Sequence, residues 1–509
     1  MVDALELWGG LECTINRVGD DYRDQFALGG HVERLDDLDR VATLGLKALR
    51  YPVHWERVAP DRPGSYDWAW VDARLERLRA LRLPVIAGLV HHGSGPAYTD
   101  LLDDDFPRLL AEYAGAVTAR YPWIERWTPV NEPTTTARFS ALYGHWYPHA
   151  RDEGAFWRAL VNQVDATRLS MRAIRRVIPQ AQLVQTDDLG RSYGTAAMRD
   201  QVAFDNQRRW AGWDLLCGRV TRAHPLWTRL ADYGLAERLA MLADDPCPPD
   251  VLGVNHYLTS DRFLDHRIAR YPPQTHGGNA RHRYADVEAV RVLSPGAAGL
   301  EGAVREAWAR YGIPVAVTEV HLGCTREEQM RWMAEGWATA QRLRGEGIAV
   351  AAVTSWALLG SCDWNTLLTA SGVYEPGAFD TRTEPPRETA LAPLLRALAS
   401  GAPLPEAARG PGWWRRPERL LHPPVPRPAP MRAHEGGVAA TGPVVSVSGG
   451  EAAAVAAACR LRHLPCVVEE GGPAMVRIGD GEAMPLTGDL HATLDQLIDG
   501  HAMKSMIDQ

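Results

Sequence analysis

Nothing in the 509 residues approaches the run of about 18 apolar residues that a membrane-spanning helix needs. The opening Met-Val-Asp-Ala-Leu-Glu-Leu-Trp lacks both the charged stretch and the long apolar stretch of a secretory leader, so a cytoplasmic location is expected. Basic blocks are missing too. With 55 Lys and Arg against 63 Asp and Glu the net charge is -8, which argues against nucleic acid or an anionic membrane as a partner. Cysteine is scarce: Cys13, Cys217, Cys247, Cys324, Cys362, Cys459 and Cys466 make an odd set with no C-x-x-C pair, offering neither a disulfide framework nor a zinc site. They read as mostly buried thiols. Phenylalanine, at 7, is outnumbered by 18 tryptophans, a balance that suits stacking on flat ring faces or filling large core spaces. What is there is a chain of 46% hydrophobic content, long enough for one large domain and a smaller one.

Apolar runs alternate with helical periodicity along most of its length. Strands are expected over 5–11, 46–53, 83–90, 124–130, 182–185, 251–255, 313–318 and 348–356. Helices are expected from near residue 30 and over 66–81, 106–121, 156–177, 301–311, 327–343 and 389–398, the long one stopped by Ile178-Pro179. Parallel strands need crossovers and cover on both faces, so this alternation points to an α/β fold, a (β/α)8 TIM barrel with long βα insertions over 1–400. A doubly wound open sheet is the alternative. One insertion, rich in Trp and Arg, lies between the fifth and sixth strands, and another, rich in His, Arg and Pro, over 258–295. Residues 401–442 read as a Pro/Gly-rich linker, with Trp413-Trp414-Arg415-Arg416 able to pack back on the barrel. A small α/β unit over 443–509 then offers a strand, an Ala-rich helix over 451–461 and a second strand. Gly449-Gly450 precedes that helix, but the full G-x-G-x-x-G is missing, so the unit reads as βαβ packing rather than a nucleotide site.

In Trp127-Thr128-Pro129-Val130-Asn131-Glu132-Pro133 an Asn and a Glu sit where an apolar strand meets a proline that cannot continue sheet pairing. A carboxylate at the end of a buried strand is costly to place, and in a barrel the C-terminal strand ends are where function collects. Glu319 ends the seventh strand in the same way. Two carboxylates on one rim suit acetal hydrolysis, which needs a proton for the leaving oxygen and a nucleophile or base on the other face.

The Asn131-Glu132-Pro133 motif resembles the signature of glycoside hydrolase family 1, the retaining β-glycosidases, and Val317-Thr318-Glu319 resembles that family's nucleophile strand. Leu7-Trp8-Gly9, Leu49-Arg50-Tyr51 with Trp55, Val90-His91, Gly253-Val254-Asn255-His256-Tyr257 and Trp356 through Trp364 follow in the family's order, so the resemblance covers about residues 5–385. It implies Glu132 as acid/base and Glu319 as nucleophile, with the carboxylates about 5 to 5.5 Å apart for retention. Arg50, Asn131 and Tyr257 would support them: Arg50 by holding Glu319 ionised, Tyr257 by donating to it, Asn131 by binding the sugar 2-hydroxyl. Glu132 has no cation in its motif and is expected to keep its proton in a dry cleft.

Substrate-binding positions implied by the resemblance are Asn16, His91, His92, Asn255, Trp356, Asp363 and Trp364. Three of them depart from the family pattern: Asn16 stands for the usual Gln, His92 for Trp and Asp363 for Glu. The shorter Asp363 leaves room near the sugar 4- and 6-positions, which weakens a plain glucoside as the expected substrate. Trp356 reads as the floor of the sugar site or as a core residue. Glu12, an acid the family pattern does not supply, either binds an amino or extra hydroxyl group or pairs with Arg17 or Arg50. His91 and His92, as strand neighbours, should point to opposite faces, so no metal is expected there.

The expected activity is that of a retaining glycoside hydrolase on a small-molecule or oligosaccharide β-glycoside, with no metal or organic cofactor. A transglycosylase using the same two Glu residues is one alternative. A catalytically silent sugar-binding protein is the other, favoured by the three altered positions and disfavoured by the presence of Glu132, Glu319, Arg50, Asn131 and Tyr257 together.

Overall fold

The computed structural model describes residues 4–279, 282–427, 445–448, 455, 466–469, 475–478 and 484–485. Eight strands carry the architecture: β1 Glu6–Gly10, β2 Ala48–Pro52, β3 Val85–His91, β4 Arg126–Asn131, β5 Gln182–Asp188, β6 Val251–Asn255, β7 Val315–Val320 and β8 Val350–Ser355. They close into a barrel in the order β1-β8-β7-β6-β5-β4-β3-β2, every neighbouring pair parallel. The open-sheet alternative is thereby overturned. One layer of the interior sets Trp8 from β1 beside Ala48, Ile86, Val184, Ala316 and Ala352, all of them buried, so a single indole fills the space that three alanines leave.

Helices cover the outside where the periodicity placed them, among them Ala69–Ala80, Phe106–Arg120, Glu153–Val177, Gly299–Tyr311, Arg326–Gly345 and Leu391–Ser400. The long one begins at Asp152, whose side chain accepts the N–H of Ala155 and so satisfies a donor that the first turn leaves open. Strand β5 is longer than expected. Thr186, Asp187 and Asp188 stay in register with Gly253, Val254 and Asn255, so the sheet continues past the point where apolar residues stop.

Two boundaries differ from expectation. The stretch 402–419 belongs to the barrel unit rather than to a linker. Trp414 is buried against Trp332 and donates to Glu335, while Glu328 accepts from the Trp413 N–H and from Arg416. The second unit, residues 192–206, 262–297 and 420–509, draws on the insertions after β5 and β6. Among its described residues a four-stranded sheet runs His276–Gly278, Arg283–Glu288, Arg262–Asp265, Ser192–Gly194, over a core of Tyr193, Phe263, Tyr271, Ala285, Val287 and Leu293. Toward the C-terminus Val445–Ser448 pairs in parallel with Cys466–Glu469, as a βαβ reading requires, but also antiparallel with Met475–Ile478, which that reading did not include. The expected 451–461 helix lies, apart from residue 455, outside the described residues. Among the described residues no helix is long and apolar enough to cross a membrane. Of the six described cysteines, all unpaired, only Cys13 and Cys247 are buried, so burial is less general than expected.

Candidate active site

Three strand ends abandon regular geometry at the barrel mouth, and each aims a side chain inward. On β7, alternation from the inward Ala316 would put Thr318 inside and Glu319 outside. A register shift between Val317 and Glu319 re-aims the carboxylate. After β4, Glu132 adopts the left-handed conformation, φ 45° and ψ 61°, immediately before the short helix Pro133–Ala137. After β3, His92 is left-handed as well, at φ 55°. Such residues cost about 1–3 kcal/mol each and persist only where their surroundings over-determine them. Here they converge on one point.

That point is a closed circuit of hydrogen bonds joining the two carboxylates. Arg50 Nη1 donates to Glu319 Oε1 at 3.0 Å and to the Thr318 carbonyl at 2.7 Å, and its Nη2 donates to Asn131 Oδ1 at 2.7 Å. Asn131 precedes Glu132, whose Oε1 accepts from Asn255 Nδ2 at 2.5 Å. Asn255 Oδ1 accepts from Thr318 Oγ1 at 2.6 Å, which leads back to Glu319, and Tyr257 Oη donates to Glu319 Oε2 at 2.5 Å. Glu132 is 4% and Glu319 3% exposed. Burial lifts the Glu132 carboxyl well above the usual range, helped by the charges of Glu319, Asp188 and Asp187. Burial lifts Glu319 too, but Arg50 and the Tyr257 hydrogen bond pull it back. Arg50 favours the ionised form of Glu319, the direction expected of it, and it is Glu319 rather than Glu132 that has a guanidinium within hydrogen-bond distance.

The remaining positions divide between the circuit and its supports. The Asn131 amide is oriented by its oxygen, which takes Arg50 and the Thr186 hydroxyl, so its Nδ2 faces Nε2 of His91 at 3.2 Å and of His92 at 3.4 Å. Both Nε2 atoms therefore accept, and both rings are neutral. Burial pushes His91 well down and His92 down to about 3. The expectation that these histidines face opposite ways is wrong: with His92 left-handed, the ring centroids are 4.8 Å apart. Among the described residues no group of three His, Cys, Asp or Glu is arranged to hold a metal. Asn255 is fully buried, donates to Glu132 and accepts from Thr318.

Trp356 is 5% exposed, stacks on His91 at 5.4 Å and 10°, and lies 4.7 Å from the Arg50 guanidinium, so it packs against the circuit. Gly10 must be glycine, since a Cβ there would meet the indole at 2.4 Å. A cavity of about 20 Å³ lined in part by Arg50, His54, His91, Asn131 and Trp356 has room for one water, and the buried His54 Nδ1 has no hydrogen-bond partner among the described residues.

The altered positions are bound to protein groups. Asn16 is fully buried, with Nδ2 3.5 Å from the Leu368 carbonyl and Oδ1 unpartnered. Asp363, left-handed at φ 64°, pairs with Arg23 and accepts the Gly372 N–H at 2.6 Å. Trp364 lies 5.5 Å from His92 and donates to Glu12 Oε2 at 3.0 Å. Glu12 pairs with neither Arg17 nor Arg50; its other oxygen takes the N–H and hydroxyl of Thr14, and Arg17 goes to Asp20. The acids at the end of β5, Asp187 and Asp188, were missed because their strand was read as ending at Gln185. Their only signal was two polar residues beyond an apolar run.

The chain is thus a (β/α)8 barrel with a buried carboxylate pair on β4 and β7. The fold is similar to that of the solved β-glucosidase of Thermotoga maritima in complex with deoxynojirimycin, at TM-score 0.62 and 15% identity over 79% of this chain and 98% of that one. It is also similar to that of the AHE enzyme of Alicyclobacillus herbarius, at TM-score 0.61 and 17% identity over 74% of this chain and 88% of that one. In sequence the chain is similar to the aryl-phospho-β-D-glucosidase BglC of Bacillus subtilis, 22% identical over 57% of this chain, and to β-glucosidase A of T. maritima, 23% identical over 29%. The matches span 66% and 35% of those relatives' own length. No protein-family model matches the chain. The resemblance read from the motifs is borne out in fold.

Proposed function

We propose that this protein is a retaining β-glycosidase acting by double displacement. The observation that carries the reading is the unequal treatment of two buried acids in one circuit: Glu319 hydrogen-bonded by the Arg50 guanidinium and Tyr257, Glu132 hydrogen-bonded by the neutral amide of Asn255 with the neutral His92 3.7 Å away. The cation-bound carboxylate is the nucleophile. It attacks the anomeric carbon while Glu132 delivers its proton to the leaving oxygen, and a glycosyl ester forms on Glu319. Ester formation removes the negative charge opposite Glu132, so Glu132 then ionises more readily and takes a proton from the attacking water. The β-glucosidases that share the fold and the weak sequence likeness support the substrate class.

The test is to follow hydrolysis of a nitrophenyl β-glycoside by proton NMR. The first-formed sugar is expected in the β configuration, and incubation with a 2-deoxy-2-fluoro glycoside should add one glycosyl mass to the peptide holding Glu319. First-formed α sugar would overturn retention. A product spectrum dominated by transfer to an added sugar acceptor would make the protein a transglycosylase.

Asp363 is the position at which we place sugar selection. Its carboxylate is already held by Arg23 and the Gly372 N–H, so Asp363→Glu must shift one of these contacts, at a cost of about 1–2 kcal/mol in stability. The same change should move preference in a nitrophenyl glycoside panel toward gluco- and galactosides. An unchanged profile removes Asp363 from substrate reading.

A further inference from the structure

Strand β5 ends in two acids that the carboxylate pair does not employ. Asp187 is 1% exposed, its Oδ2 accepts the Thr134 N–H at 3.3 Å, and its Oδ1 accepts the Asp188 N–H at 3.1 Å. Room for it exists because residue 212 is glycine: a Cβ there would stand 2.9 Å from Oδ2. The cation on this side, Arg138, has its Nη2 3.9 Å from Asp188 Oδ2. A buried carboxylate with so little compensation is costly, which calls for a reason to have it there.

The reason is the turn beside it. Glu132 is held in its left-handed conformation by three backbone donors: its own N–H to the Thr186 carbonyl at 3.2 Å, the Thr136 N–H to its carbonyl at 2.9 Å, and the Thr134 N–H to Asp187. Two of these three grips come from β5. We propose that Asp187 is a positioning residue for Glu132: it anchors the turn that aims the acid into the barrel, and its negative charge disfavours a second anion at Glu132. This rests on Glu132 being the proton donor.

The groups that face Glu132 are Glu319 from β7, Asp187 and Asp188 from β5, neutral His92 after β3, Asn255 and Tyr257 from β6 and the turn beyond it, and Arg138 from its own segment. Burial pushes Asp187 up to about 7, and the charge of Asp188 adds to it. Asp187 thus gains its charge as pH climbs past neutrality. The like charge then extends the alkaline range over which Glu132 remains an acid.

Asp187→Asn keeps an oxygen for the Thr134 N–H and removes the charge. The Glu132 carboxyl can be titrated by carbon-13 NMR in the full chain labelled at Glu Cδ, its signal assigned by its loss in Glu132→Gln. In Asp187→Asn the midpoint should move to lower pH, the proton held about tenfold less tightly. The alkaline limb of kcat/KM on a nitrophenyl glycoside should move with it while KM and the acid limb stay. Asp187→Ser, which also keeps an acceptor without charge, serves the same measurement should Asp187→Asn not fold. A Glu132 midpoint unmoved in the variant overturns the proposal. The titration needs no turnover, so a wild-type protein that cleaves no glycoside would sink the assigned activity and leave the placement of Asp187 to be decided by the midpoint.

Discussion

Glu319→Ala is expected to lower hydrolysis of an activated aryl glycoside by at least about 10⁴-fold, and azide or formate is expected to restore turnover. The size follows from the role: without the carboxylate no glycosyl ester can form. Rescue follows from what is left behind. Arg50 Nη1 and the Tyr257 hydroxyl, which grip the two carboxylate oxygens, keep their places and become a binding site for a small anion in the vacated volume. Azide entering there attacks the anomeric carbon opposite the leaving group, so a β-glycoside should give an α-glycosyl azide. Arg50 is not orphaned, because the Thr318 carbonyl and Asn131 Oδ1 still accept from it. The stability loss should therefore fall under the about 3–5 kcal/mol seen when a buried charge loses its only partner, which a thermal unfolding scan checks. Wild-type activity in the variant would show the nucleophile assignment to be mistaken.

The barrel and the acid pair were legible because both are written in short-range pattern. Apolar runs spaced by amphipathic helices define the strands, and a carboxylate followed by proline, or ending a run of Val and Ala, marks a strand end. What stayed hidden depends on backbone geometry that pattern does not carry. Residue alternation sends His92 away from His91 and Glu319 away from the interior; a left-handed residue in one case and a register shift in the other bring them in. Partner choice was equally opaque. For Glu12 the sequence offers a ligand group or an arginine as partner, whereas its hydrogen-bond partners in space are a threonine and an indole that lies 352 positions along the chain. Asp187 escaped because a polar strand end looks like a loop until its register with β6 is known. The stretch 402–419 reads as linker by composition, yet Trp414 has enough apolar surface to dock it.

Glu132→Gln separates proton delivery from everything else in the circuit. The amide oxygen can still accept from Asn255, so the turn and the network are preserved while the proton donor is lost. Glycosides with poor leaving groups should slow by about 10²- to 10⁴-fold, and dinitrophenyl glycosides, whose leaving group needs no proton, far less in the first step. In the wild type, activity rises as Glu319 loses its proton and falls as Glu132 loses its own, so kcat/KM should be bell-shaped, the two limbs belonging to the pair. The variant should keep the acid limb and lack the alkaline one. Stability runs the other way. A carboxyl whose folded pKa is raised binds more protons folded than unfolded once pH passes its ordinary 4.5, so its burial costs stability progressively as pH climbs through that window. Glutamine carries no such cost. Glu132→Gln should therefore unfold at a higher temperature than the wild type above that point, the gap growing by at most about 1.4 kcal/mol for each pH unit and closing on acidification. A variant that is slower yet more stable at neutral pH is what a strained, buried proton donor demands; one that is slower and less stable at every pH would mean that Glu132 holds the turn rather than the proton.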